Sequence, residues 1–192
     1  MIQEIAKKIV KTCMNAGIIN EDPEVYVYGS ELVISSFLGI FLSLLSGLLF
    51  GNFLETLLFL ILFILLRRYT GGYHAQTHFN CILGTNLLSV LLNIIIHLRF
   101  SIKNILFLAI LNGIIIFFLC PIPNRLIHSI HPKSYYKVQS IKFVIAYLLI
   151  AIISLYHLPS FTLTLSHVIN AVSLLIILEV IKNEKIKNNT LG

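Results

Sequence analysis

Six apolar runs, at roughly 32–50, 53–68, 80–98, 104–120, 141–157 and 162–181, leave this chain of 192 residues few ways to fold. A helix crosses the ~30 Å hydrocarbon core of a bilayer with about twenty residues rising 1.5 Å each. The first, third and sixth runs meet that length. The second is short and contains Glu55, so it is expected to tilt, to thin the bilayer or to be partly re-entrant. With 57% of residues hydrophobic and 11% charged, the chain has too little charge to coat a water-facing surface. The sequence therefore predicts an all-α integral membrane protein of about six membrane segments, in one domain over 18–181. Gly51-Asn52 and Leu158-Pro159-Ser160 mark tight turns between neighbouring segments.

Ahead of the first run, Ile2, Ile5, Ile9, Cys13 and Ala16 recur at steps of three and four, one face of a helix that Gly17 would end. Lys7, Lys8 and Lys11 fall mostly elsewhere, so residues 1–17 read as an amphipathic helix lying in the membrane interface, with packing on the bundle as the rival. The same charges leave no continuous apolar stretch for a cleavable signal peptide. Residues 182–192 read as a polar, disordered tail. The net charge of +6 sits at the ends of apolar runs rather than on a soluble face, which argues for topology and against nucleic-acid binding. With the N-terminus inside, the cytoplasmic side gathers Lys7, Lys8, Lys11, Arg67, Arg68, Arg125, Lys133, Lys137, Lys142, Lys182, Lys185 and Lys187, leaving Arg99 and Lys103 outside. That bias predicts both termini on the cytoplasmic side. Cys13, Cys81 and Cys120 are too few and too scattered for a disulfide framework.

One polar island interrupts the apolar pattern, Arg67-Arg68-Tyr69-Thr70-Gly71-Gly72-Tyr73-His74-Ala75-Gln76-Thr77-His78-Phe79-Asn80-Cys81. Polar and ionisable groups at a bilayer edge are costly and are usually there for a function. A cysteine attacks as the thiolate, and a nearby imidazole can take its proton. Cys81 has two candidate bases. On one regular helix His78 would be three residues away on the same face, while His74 would lie about 10.5 Å back along the axis. Spacing leaves the choice open, with a slight lean to His78 unless the chain bends; Gly71-Gly72 make a non-helical start plausible. Of Arg67 and Arg68, at least one reads as an anchor at the membrane edge, and the other as able to meet a carboxylate or steady an oxyanion. From the residues alone three readings stand: a Cys-His pair, a polar loop with an incidental thiol, and a metal site on His74, His78 and Cys81. Against the metal, Ala75 stands where a zincin motif has its glutamate.

Glu31 and Glu55 should face the bundle interior or an interface, in structural pairing or at the site. Ser43, Ser46, Asn86, Asn93 and Asn112 read as contacts between helices. His97, His157 and His167 are expected at the outer interface, Cys13 and Cys120 as packing residues, and His128 and His131 in a loop at 121–140.

The island resembles the catalytic stretch of the accessory gene regulator B family, membrane cysteine endopeptidases of peptide quorum sensing. The matching pattern is Arg67 or Arg68, Gly71-Gly72, His74-Ala75 and Cys81. Tyr28-Gly29-Ser30-Glu31 and Pro121-Ile122-Pro123-Asn124-Arg125 resemble two further stretches of that family, although Cys120 stands where the family usually has a small residue. The resemblance covers nearly the whole chain. It implies Cys81 as nucleophile and His74, not His78, as its base, with a bend between Gly72 and Cys81. It also implies a short propeptide substrate of the AgrD type with an acidic tail, a thiolactone product, no cofactor, and a homodimer among membrane lipids. Arg67, Arg68, Gly71, Gly72, His78, Glu31 and Arg125 are the candidate supporting residues. The rival functions are a small peptide exporter using Glu55 and the imidazoles as a relay, and a metal-dependent membrane protease.

Overall fold

The computed structural model describes residues 2–17, 22–73, 77–98, 100–122 and 132–189, with backbone alone for His78 and residues 185–189. His74, Arg125, His128 and His131 therefore lie outside the described residues. Among those described, all regular structure is helical: α1 (Ile2–Asn15), α2 (Pro23–Leu49), α3 (Phe53–Thr70), α4 (His78–His97), α5 (Ile102–Leu119), α6 (Lys133–Ser154) and α7 (Pro159–Asn189).

Five of these, α2, α4, α5, α6 and α7, are long and apolar enough to cross a membrane. α3 is not among them, because its eighteen residues carry Glu55 near one end and Arg67 and Arg68 at the other. It is nevertheless a continuous helix through the bundle. Phe59, Leu60, Phe63 and Leu66 on it are buried.

α7 is the hub. It packs on α3, α4, α5 and α6, and 72% of its apolar stretch is buried, against 22–28% in the other four spans. Leu165, Val168, Ile169, Val172 and Ile176 on it join Phe59, Leu92, Ala109, Ile116 and Ala151 in one core. α2 lies against α3 and α4 at the edge, and α1 packs on α2. α1 buries Ala6 and Val10, whereas Ile5 and Ile9 remain exposed.

Lipid tails are as apolar as leucine, so helices in a bilayer are joined by close backbone approach and polar contacts rather than by hydrophobic burial alone. Both devices are present. α2 buries Ser35, Gly39, Ser43 and Gly47, four residues apart on one face. At Gly47 an added Cβ would lie 2.5 Å from Thr56 Oγ1, so only glycine allows α2 and α3 to meet there. Ser43 donates to Asn86 at 3.2 Å, Thr56 to Asn93 at 3.3 Å, and Ser46 and Ser89 hydroxyls stand 3.4 Å apart. Asn112 donates to Asn170 at 2.9 Å and receives Ser173 at 3.0 Å. The five serine and asparagine positions expected to join helices all do so.

Three expectations differ from the structure. Tyr28 to Glu31 stand ahead of the apolar run that begins at 32, yet they already lie within the first span. Pro23 at the first helical position starts α2 earlier, and these residues form its opening turns. α7 continues to Asn189 instead of stopping at 181, because Lys182, Glu184 and Lys185 are good helix formers that extend an already anchored helix. His167 is not at an interface. It lies eight residues into α7, about 12 Å along the axis, is 3% exposed, and places Nε2 3.0 Å from the Leu88 carbonyl.

Candidate functional site at the membrane edge

The antiparallel course of the helices brings the end of α3, the start of α4, the ends of α5 and α7 and the start of α6 to one end of the bundle. There the polar island is divided by its glycines. Gly71 (φ 72°) and Gly72 (φ 122°) adopt backbone conformations that side chains oppose, and α3 stops at Thr70. The strap Gly71–Tyr73 then leaves the helix and lies against α7. Tyr73 donates its N–H to the Leu175 carbonyl at 3.0 Å, and a Cβ on Gly72 would be 3.6 Å from Leu175. Beside it the Thr70 carbonyl receives Ile122 N–H at 3.1 Å and the Cys120 thiol at 3.5 Å, tying the ends of α3 and α5 together.

α4 begins afresh after Thr77, whose side chain accepts the Asn80 N–H at 3.3 Å. Cys81 therefore sits in the first turn of α4, exposed, where unpaired N–H groups make the helix end electropositive. The island is not one helix. α3 ends at Thr70 and α4 begins only at His78, while the position of His74 itself is outside the described residues. His78 is the first residue of α4.

The two arginines part company. Arg68 is exposed, whereas Arg67 is half-buried, donates to the Tyr73 carbonyl and lies over the Phe63 ring at 5.6 Å. Its guanidinium is within Coulombic reach of Cys81 and of Glu179 on α7. Arg67 and Cys81 together line two cavities. One, of about 180 Å³, opens between α2, α3 and α4 and is walled by Leu32, Ser35, Gly39, Phe63 and Ile82. The other, of about 130 Å³, lies towards α7, with Tyr73, Asn80, Gly84 and Leu178. Neither lining includes Glu31, which is half-buried on α2 one residue before Leu32. Glu55 lies at the far end of the bundle, in a cavity with Leu158, Pro159 and Phe161.

The other cysteines differ from Cys81 in kind. Cys13 is half-buried on α1. Cys120 is buried just beyond α5, and burial pushes its thiol up to about 12, the behaviour of a packing residue rather than a nucleophile. Among the described residues no three His, Cys, Asp or Glu side chains gather as metal ligands. The trio proposed for a metal includes His74, so it is not judged by this.

From the sequence, Glu179 and Tyr73 carried no role and Lys182 only a place among the cytoplasmic bases. Lys182 Nζ is 3.6 Å from Glu179 Oε2 and 5.1 Å from the centre of the Tyr73 ring. The signal for Glu179 was available: an acid inside Leu-Leu-Ile-Ile-Leu-Glu-Val-Ile stands out as much as Glu31 or Glu55.

Fold and site define a multi-span helical membrane protein with an accessible thiol at a helix start, beside a guanidinium and between two cavities. The family profile for accessory gene regulator B matches residues 2–182, and the chain belongs to that family, the membrane proteins of agr quorum sensing. No curated protein and no solved structure matches it.

Proposed function

We propose that this protein is a membrane cysteine endopeptidase that processes a propeptide of the AgrD type. The observation that carries the reading is the convergence of Cys81 and Arg67 on two cavities at the positive end of α4. A peptide threaded past the thiol would place one flank in each cavity, with its scissile carbonyl over the sulfur. Family membership supports the same substrate class.

In this mechanism His74 takes the Cys81 proton and the thiolate adds to the carbonyl carbon of the scissile bond. The C–N bond breaks, the released acidic tail receives the proton on its new amine, and the peptide core stays on Cys81 as a thioester. A cysteine of the core then attacks that carbonyl. Its S–H proton passes back to the enzyme thiolate through His74, and a thiolactone ring leaves. One thioester replaces another, so no external energy source is needed. Arg67 serves the negative charge that develops first on sulfur and then on the carbonyl oxygen. Arg68, Lys133 and Lys137, all exposed, belong to a basic face that attracts the acidic tail. Arg67, Arg68, Lys133, Lys137 and Lys182 at the site end, against Lys103 at the other, support a cytoplasmic site. A homodimer is carried over from the family resemblance.

The test is mass spectrometry of the purified protein in lipid with its cognate propeptide, comparing wild type, Cys81→Ala and His74→Ala. The expected result is a peptide acyl group on Cys81, or a tail-less ring product, absent from both variants. Processing that survives Cys81→Ala would overturn the mechanism.

A further inference from the structure

Arg67 presents a problem that the catalytic reading does not solve. A half-buried guanidinium at a membrane edge needs an anionic partner, and Cys81 in its resting thiol form is neutral. Glu179 on α7 is an acid in Coulombic reach of that guanidinium. Its side chain is only 16% exposed, and its Oε2 is buried without a hydrogen bond from any described residue. That carboxylate has Lys182 Nζ at 3.6 Å and acts on the Arg67 guanidinium through its charge.

These contacts close on the strap. Arg67 donates to the Tyr73 carbonyl, Tyr73 donates to the Leu175 carbonyl on α7, and Lys182 lies over the Tyr73 ring. Leu175, Glu179 and Lys182 follow at steps of four and three, one face of α7. The whole face thus grips the Arg67–Tyr73 corner, and Tyr73 immediately precedes His74 in the sequence.

We propose that Glu179, backed by Lys182, is a positioning residue that holds Arg67 beside Cys81 and pins the strap to α7. Glu179 touches no reacting atom in this scheme. It acts through Arg67, by keeping the guanidinium from swinging out to solvent and by supplying the counter-charge while the thiol is neutral. The proposal rests on the reading of Cys81 as the nucleophile.

The test is a double-mutant cycle on the full-length protein in lipid nanodiscs, reading the rate at which iodoacetamide alkylates Cys81 at pH 7, resolved by mass spectrometry. Arg67→Gln should slow alkylation about tenfold and Glu179→Gln about threefold, and the double variant should be no slower than Arg67→Gln alone. Glu179→Asp, which keeps the charge with a shorter reach, should slow it less than Glu179→Gln. Alkylation of buried Cys120 reports unfolding in the same spectra. If Glu179→Gln unfolds, the cycle is run with Glu179→Asp, whose slowing should likewise vanish in the Arg67→Gln background. An unchanged rate in a folded Glu179 variant, or effects that multiply in the double variant, would overturn the proposal. Processing independent of Cys81 would overturn the endopeptidase reading and leave the coupling standing. Intact Cys81-dependent processing with no coupling would overturn only the role of Glu179.

Discussion

The two ends of the bundle use their polar groups in opposite ways. At the end away from the site, hydroxyls and amides pair with one another, apart from the Ser166 hydroxyl, which is buried without a hydrogen bond from any described residue. Ser154 and Thr162 oxygens are 2.8 Å apart, Asn52 N–H reaches the Gly47 carbonyl at 2.8 Å, and Thr56 fills the space that Gly47 leaves. At the site end, Cys81 is exposed, Arg67 faces two cavities, and a Glu179 oxygen accepts no hydrogen bond from any described residue. The first arrangement lowers the energy of the fold. The second leaves groups able to meet a substrate, and it is tolerated because α7 and the glycine strap hold its parts in place.

The sharpest break in that comparison is Cys81→Ala. It should reduce propeptide processing at least about a thousandfold while leaving thermal unfolding in detergent unchanged, since the side chain packs against little. Gly47→Leu at the other end should do the reverse. Overpacking against Thr56 should destabilise the bundle by about 1–3 kcal/mol, read by detergent or thermal denaturation, with Cys81 alkylation normal in the folded fraction. The two unlinked thiols near the site separate by pH. With its thiol near 12, Cys120 should resist iodoacetamide up to about pH 10 in the folded protein, under conditions that label Cys81. Labelling of Cys120 at neutral pH would mean that the α3–α5 tie at Thr70 is open. The smallest effect belongs to Ser154→Ala, about 0.6 kcal/mol of stability and no change in processing, the ordinary worth of one hydrogen bond between membrane helices.

The apolar runs announced the helices because length and hydropathy are local properties, and the serine and asparagine contacts were legible because a polar group in hydrocarbon must find a partner. The break at Gly71-Gly72 could be anticipated for the same reason: paired glycines at the end of an apolar run permit conformations a helix cannot hold. Helix starts were less visible. Pro23 and Lys133 open α2 and α6 well before the apolar runs begin, since a helix anchored in a bundle recruits polar residues beyond the bilayer edge. His167 was misplaced because depth along α7 depends on where that helix begins. The choice between Arg67 and Arg68 lay outside the sequence altogether. Adjacent residues on a helix point about 100° apart, and only the packing of α3 against α4 and α7 decides which one meets Cys81. Glu179 stood out as an acid in an apolar run, but its relation to Arg67 was hidden by sequence distance, since nothing local links residue 179 to residue 67.

The hold of Leu175 on Tyr73 has a consequence for how the protein is made. A strap that leaves the ribosome early, at residue 73, finds its backbone partner only when residue 175 has followed it into the membrane. Until then Gly71 and Gly72 have no surface to lie against, and α3, α4, α5 and α6 lack the helix on which all four pack. A nascent chain halted before α7 would thus carry the thiol without the corner that organises its surroundings. On the endopeptidase reading, the site is thereby completed only when the last helix completes the bundle.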